Sequence, residues 1–244
     1  MNRPRLSSIA RLLKRPPRHA RTPTRAETYD SQTFEVMGRV LSTDSIAVDV
    51  GAYEGTILAE IVRLAPRGRH FAFEPIPGLA ADLRRRFPSV HVCERALTNS
   101  VGSAAFELVV DAPAYSGLRR REYDVPDPTV QRIVVDTDTL DDVIPQGVPV
   151  AFMKIDVEGG EYHVLLGGLS TLERCRPVIV FEAAARSTGC YGVTASDLYQ
   201  LVTRRLGMRL FTMARWLRGA EGYSAEEFDA NWVNGPDFYF IAYG

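Results

Sequence analysis

Lys154 to Glu161, K-I-D-V-E-G-G-E, directly follows the apolar run Val148 to Met153. The run reads as a buried strand. The octapeptide places two carboxylates, Asp156 and Glu158, and the turn-forming pair Gly159-Gly160 at its carboxyl end. In open α/β sheets ligands bind in the crevice beyond the carboxyl ends of the strands, so this is the place to look for a site. A second stretch, V-D-V-G-A-Y-E-G-T from Val48 to Thr56, repeats the order of strand, glycine turn and helix near the start of the fold. The two together predict one site built from two strand ends.

Working outward, Ser45–Val50 reads as a strand and 56–65 as a helix, with apolar residues at Ile57, Leu58, Ile61, Val62 and Leu64. Arg69–Pro75 reads as the second strand, Pro77–Phe87 as a helix with proline in its first turn, and Val90–Leu97 as the third strand. The βαβαβ order predicts a parallel sheet in an α/β fold. Ser103–Val110 has strand character without a following helix, and 112–132 is rich in proline, charge and tyrosine, so a hairpin-like insertion with a loop is expected over 103–132. A strand and turn at Ile133–Asp142, the central strand Val150–Val157, a helix over Glu161–Arg174 and a strand at Pro177–Ala183 follow. Thr194 reads as the N-cap of a helix. Strands at Met208–Met213 and Asp237–Tyr243 close the chain.

Composition bounds the function. With 244 residues, 45% of them hydrophobic, the chain can build a sizeable core, and a net charge of -1 argues against a dedicated nucleic-acid binder. The three cysteines, Cys93, Cys175 and Cys190, form no C-x-x-C pair, which suits a reducing, cytoplasmic setting without a disulfide framework or zinc site. No apolar run approaches the roughly 20 residues of a membrane span. Residues 1–28 differ from the rest: eight basic residues from Arg3 to Arg25 face only Glu27, with Pro16, Pro17 and Pro23 interspersed. They read as a flexible basic arm. Leu6, Ile9, Leu12 and Leu13 could give it an apolar stripe for peripheral contact with an anionic membrane. Residues 29–244 read as a single domain.

The first glycine turn has a definable chemistry. Gly51 and Gly55 let the backbone approach a ligand closely, and the following helix offers free N–H groups. Glu74 ends the neighbouring strand 19 residues after Gly55, the spacing at which an acidic side chain takes the hydroxyls of a ribose. An adenosine-containing ligand follows. The loop lacks G-x-G-x-x-G, which argues against a nicotinamide-dependent oxidoreductase. A nucleoside-binding scaffold without turnover would not need Lys154 and Asp156.

Six pieces in this order resemble the FkbM-type methyltransferases, S-adenosylmethionine-dependent enzymes that mostly methylate hydroxyl groups. They are V-D-V-G-A-Y-E-G-T, A-F-E-P (Ala72 to Pro75), A-L-T-N (Ala96 to Asn99) with Gly102, T-L-D-D (Thr139 to Asp142), K-I-D-V-E-G-G-E and F-E-A (Phe181 to Ala183). The resemblance implies a doubly wound, Rossmann-like seven-stranded sheet of the class I methyltransferase type, its last strand antiparallel. It implies that Asp49, Gly51 and Gly55 line the methionine end of the cofactor, with Ala52, Tyr53 and Thr56 in the same loop. Glu74, followed by Pro75, would hold the ribose, the backbone at Ala96 and Leu97 would border the adenine, and Asp156 would sit beside the methyl donor. Tyr53 departs from the family's usual Asn, and Thr98-Asn99 from a small-then-acidic pair.

An acceptor hydroxyl, on a sugar, a glycolipid or a secondary metabolite, must be aligned with the methyl and relieved of its proton. Asp156 or Glu158 is expected as general base, Lys154 as orienting group, and Glu182 at the adjacent strand end. Asp156 and Glu182 with acceptor oxygens could alternatively hold Mg²⁺; no metal ligands are assigned. Glu161 reads as a carboxylate placed for the helix dipole. His163 lies where the family has no histidine, and His70 and His91 read as strand residues. Arg119-Arg120-Arg121 reads as solvated surface rather than an anion site, with Tyr115 and Tyr123 as candidates to stack on a sugar.

Overall fold

The computed structural model describes residues 24–123 and 126–244. Among the described residues there are ten strands and ten α-helices. They begin with α1 (Arg25–Val40), β1 (Ile46–Val50), α2 (Thr56–Leu64), β2 (Phe71–Phe73) and α3 (Pro77–Arg86). Next come β3 (His91–Cys93), β4 (Ala96–Leu97), β5 (Gly102–Val109), β6 (Val130–Asp138), the short α4 (Leu140–Val143), β7 (Val150–Ile155), α5 (Glu161–Leu166) and α6 (Leu169–Cys175). The chain ends with β8 (Val178–Glu182), α7 (Ala185–Thr188), α8 (Ala195–Gln200), β9 (Arg209–Thr212), α9 (Met213–Leu217), α10 (Ala225–Asn234) and β10 (Tyr239–Tyr243).

Seven strands form the main sheet in the order β3-β2-β1-β7-β8-β10-β9. β3, β2, β1, β7 and β8 pair in parallel, while β10 runs antiparallel to both β8 and β9. The expected class I methyltransferase architecture is thus present, with the last strand reversed. Its central strands are apolar almost throughout because helices cover both faces. Val48, Val50, Met153 and Ile155 pack on one side, whereas Ala47, Phe152, Val180 and Ile241 pack on the other against Val36 and Met37 of α1. The chain reverses its order between β1 and β7, and their carboxyl ends carry the two glycine turns.

Four expectations need correction. The third strand is two: β3 stays in the main sheet, and β4 pairs in parallel with β6 in a second, three-stranded sheet, β4-β6-β5. The hairpin-like insertion expected over 103–132 is present but longer: β5 and β6 are antiparallel from Gly102↔Thr137 to Val109↔Val130, so the return strand takes in residues expected in a separate strand at Ile133–Asp142. The helix expected over 161–174 breaks at Gly167-Gly168. A Cβ at these positions would lie 2.1 Å from the Thr98 carbonyl oxygen and 2.5 Å from Leu140, respectively, so close packing against the segment after β4 and against α4 fixes the break. Finally, residues 25–28, grouped with the arm by composition, form the first turn of α1, capped by the reciprocal Thr24 and Glu27 pair. The rest of that arm lies outside the described residues.

Candidate active site at the strand ends

Gly51 has φ +80°, and a Cβ there would meet the Asp156 carbonyl oxygen at 1.9 Å. Only hydrogen fits, so the two loops touch through this residue. Their contact is reinforced by hydrogen bonds from Gly51 N and Ala52 N to the Phe73 carbonyl, at 2.9 and 3.0 Å, and from Asp156 N to that of Val50 at 2.9 Å. Gly55, at φ +78°, begins α2 where a Cβ would press on Leu83 and Phe87 at 2.6 and 2.8 Å. Tyr53 between them also takes a positive φ of 46°. Its amide donates to Glu74 Oε2 at 2.9 Å, and Ile76 N donates to Oε1 at 2.9 Å, which fixes the carboxyl plane. Burial raises the Glu74 pKa, and the two amides partly offset that rise.

At the end of β7 Lys154 Nζ donates to Asp156 Oδ2 at 2.7 Å. The same oxygen accepts from Tyr239 Oη, on β10, at 2.5 Å. The Lys154 ammonium lies 4.8 Å from the centre of the Tyr239 ring. Burial alone would raise the Asp156 pKa, but the Lys154 charge and hydrogen bonds from Lys154, Tyr239 and Glu182 prevail and hold it below the usual carboxylate value. Glu182 goes the other way. Burial, with Asp156 and Glu161 nearby, pushes its pKa up to about 8. It is therefore protonated at neutral pH and hydrogen-bonds the ionised Asp156, two carboxyls given different charge states by their surroundings. Asp49, in register with Lys154, is raised to about 7 by burial, partly countered by Lys154, and its Oδ2 has no partner.

Glu158 takes φ +60° and forms an ion pair with Arg121. The solvated reading of the arginine triplet fails for Arg121, although Arg119 and Arg120 are exposed. The Arg121 side chain is only 6% exposed, and its guanidinium lies 5.2 and 5.9 Å from the ring centres of Tyr115 and Tyr123. Those tyrosines cage an arginine in the structure. Glu161 does more than face a helix dipole: its Oε1 turns back to accept from Val157 N at 2.9 Å and Gly159 N at 3.3 Å. It thereby shapes the turn that carries Glu158.

Carboxylate oxygens of Asp156, Glu158 and Glu182 lie within 4.8 Å of one another. Lys154 and Arg121 already neutralise two of the three groups, so a divalent cation would have to displace these ion pairs to gain the full set of oxygen ligands.

A cavity of about 850 Å³, including its open mouth, joins these parts. Of the residues expected at the cofactor, Gly51, Tyr53, Glu74, Pro75, Ala96, Leu97 and Asp156 line it, as does Glu158. Asp49, Ala52, Gly55, Thr56, Lys154 and Glu182 are not among its lining residues. Leu118 and Ser116 of the insertion cover one side. His163 and Tyr191 also line the cavity, with ring centres 5.4 Å apart. Burial and Arg119 lower the pKa of His163 and so favour its neutral ring. His70, by contrast, lies just before β2 rather than within a strand; it is buried, accepts from Ala47 N at 3.2 Å and bonds the Ala65 carbonyl at 2.8 Å. Sequence reasoning missed Tyr239, Arg121 and Tyr191. Among the described residues, the buried polar side-chain atoms without partners belong to Asp49, Arg121, Tyr123, Glu161, His163 and Tyr191, of which His163 and Tyr191 line this cavity. Buried polar groups are ordinarily paired, so these two suit a polar ligand there.

The sequence profile of the Methyltransferase FkbM domain matches residues 49–210. Among solved structures, the chain is similar to Methyltransferase FkbM from Methylobacillus flagellatus KT, with 18% identity, a TM-score of 0.50, and coverage of 83% of this chain and 44% of that one. It thus spans less than half the length of that protein. It is also similar to a precorrin-6y C5,15-methyltransferase from Geobacter metallireducens GS-15, with 15% identity, a TM-score of 0.46, and coverage of 92% and 93%. No curated protein matches.

Proposed function

The chain belongs to the FkbM family of S-adenosylmethionine-dependent methyltransferases, and we propose that it methylates a hydroxyl group of a sugar, glycolipid or secondary metabolite. The observation that carries this reading is the junction at Gly51, where the first glycine turn lies against Asp156 on the same cavity as Glu74. S-adenosylmethionine, when bound, supplies a methyl group activated by its sulfonium. Gly51 and Tyr53 offer backbone to the methionine part, with Asp49 and Gly55 in the same turn. The Glu74 carboxylate, its plane fixed by two amides, has lone pairs left for the ribose hydroxyls. Ala96 and Leu97 provide an apolar border for the adenine.

On the acceptor side, Asp156 is held ionised and takes a hydrogen bond from the hydroxyl. An attacking neutral alcohol becomes strongly acidic as its oxygen gives up electron density, so even a carboxylate of depressed pKa can take the proton late in the step. Lys154 fixes that carboxylate, and protonated Glu182 limits the negative charge around it. Glu158, tied to Arg121, shapes the wall rather than exchanging the proton. With Arg121 occupied by Glu158, the site favours a neutral polyol over a phosphorylated acceptor. No helix among the described residues is long and apolar enough to cross a membrane. The cytoplasmic setting, peripheral membrane contact through the arm and absence of nucleic-acid binding remain parts of this proposal.

The test is incubation with methyl-labelled S-adenosylmethionine and a panel of neutral sugars, glycolipids, phosphosugars and amines. Label on the oxygen of a neutral hydroxylated acceptor supports the reading. Transfer confined to amines or phosphosugars would replace it.

A further inference from the structure

Tyr239 is the one contact of Asp156 supplied from the reversed strand β10, and it stands opposite Glu182 of β8 in the sheet register. We propose that Tyr239 is a positioning residue of the methyl-transfer site, holding Asp156 ionised and in a single orientation so that its second oxygen remains for the acceptor. The inference rests on the reading that Asp156 faces the acceptor.

Three observations carry it. First, Asp156 Oδ2 receives two donors, Tyr239 Oη at 2.5 Å and Lys154 Nζ at 2.7 Å, and two donors on one oxygen fix the rotamer as a single bond would not. Second, Tyr239 is itself held. The ring of Tyr29 from α1 lies 4.9 Å away, while the Tyr29 hydroxyl donates to Asp237 Oδ1 at 3.2 Å and accepts from Phe238 N at 3.3 Å. Helix α1 thereby pins the start of β10 on both sides of its backbone. Third, the Tyr239 hydroxyl is a donor throughout the working range, since burial and the neighbouring carboxylates raise its pKa well above that of an ordinary phenol.

The groups facing Asp156 show what the phenol adds. Lys154 is the single cation on its own strand and Glu182 of β8 donates to Asp156 in its protonated form, whereas the carboxyls of Asp49 of β1, Glu161 of α5 and Asp30 of α1 interact with Asp156 electrostatically, and Glu158 lies within the same cluster. Arg121 is spent on Glu158. With so many acidic neighbours, Asp156 would bind a proton more readily without the phenol.

The test is a pH titration of the full chain labelled with ¹³C in its aspartate carboxyls, followed by nuclear magnetic resonance, with Asp156→Asn identifying the resonance. In Tyr239→Phe, which keeps the ring over Lys154, the proton affinity of Asp156 should rise about tenfold, in line with loss of one hydrogen bond to a charged group. An unchanged Asp156 midpoint in the folded variant would overturn the proposal. Should that variant not fold, 3-fluorotyrosine at position 239, a stronger donor of nearly the same shape, should move the midpoint downward, and an unmoved midpoint would again overturn it. Calorimetric titration of the unchanged chain with S-adenosylmethionine, run alongside, tests the underlying reading separately. Binding there supports that reading, and no binding removes it whatever the carboxyl titration shows.

Discussion

Gly51 and Asp156 meet at a distance that no side chain tolerates, and the chemistry proposed here depends on that meeting. Gly51→Ala places a methyl 1.9 Å from the Asp156 carbonyl oxygen at a φ of +80°. The left-handed backbone alone costs about 1–2 kcal/mol, and the clash adds to it. The expected outcome is a loss of at least ~2 kcal/mol in denaturant unfolding together with loss of cofactor binding. Asp156→Asn keeps the shape but removes the proton acceptor, so turnover should fall by about 10²–10⁴-fold at unchanged fold. Near-normal turnover would remove Asp156 from that role. These two residues were legible in the sequence because glycine and aspartate at strand ends have few other uses. Tyr239 was not, because it stands 83 residues from Asp156 and only the sheet brings them together.

Elements show the same division. The strands of the main sheet were legible from their apolar runs, and α8 from its cap, a reciprocal pair between Thr194 and Asp197. Helix α1 was missed although its signal was present. Thr24 and Glu27 form a capping box, and the buried Tyr29, Thr33, Val36 and Met37 follow helical spacing, but the charge and proline of the adjoining stretch masked them. The loop at 113–123 was read by composition as exposed, yet it carries the caged Arg121. Truncating one member of a buried ion pair costs about 3–5 kcal/mol when the other charge stays buried, and here the cost should be met by local opening of the loop. Arg121→Ala should therefore make the 110–123 segment sensitive to limited proteolysis, whereas a double change of Arg119 and Arg120 to Ala should not. Equal sensitivity of the two variants would contradict the structural role given to Arg121.

At the scale of the whole molecule, the site concentrates carboxyls at the centre of the sheet. Asp49 and Glu161 are raised to about 7 and Glu182 to about 8, each with burial as the largest cause. The folded state therefore holds protons that the unfolded chain releases at ordinary carboxylate values near pH 4. Their contribution is fully present below that range and is lost as the pH rises through the folded values, so stability should decline from about pH 5 to about pH 8. Scanning calorimetry across this window should show a falling melting temperature, with a shallower fall in Glu182→Gln. A melting temperature that rises with pH would contradict the charge states assigned here. The overall class, an α/β sheet with a reversed final strand, followed from the family resemblance that the order of motifs carries. The second sheet did not, because pairing of β4 with β6 depends on contacts far apart in the chain.

The most direct test of the account is calorimetric titration of the purified chain with S-adenosylmethionine, beside Glu74→Gln. Glutamine retains an acceptor for one of the two backbone amides but presents an N–H where a carboxylate oxygen stood. The account expects saturable binding to the unchanged chain and binding at least about tenfold weaker in the variant, the loss of one or two hydrogen bonds to a charged group. No saturable binding to the unchanged chain, or equal binding by both, would contradict it.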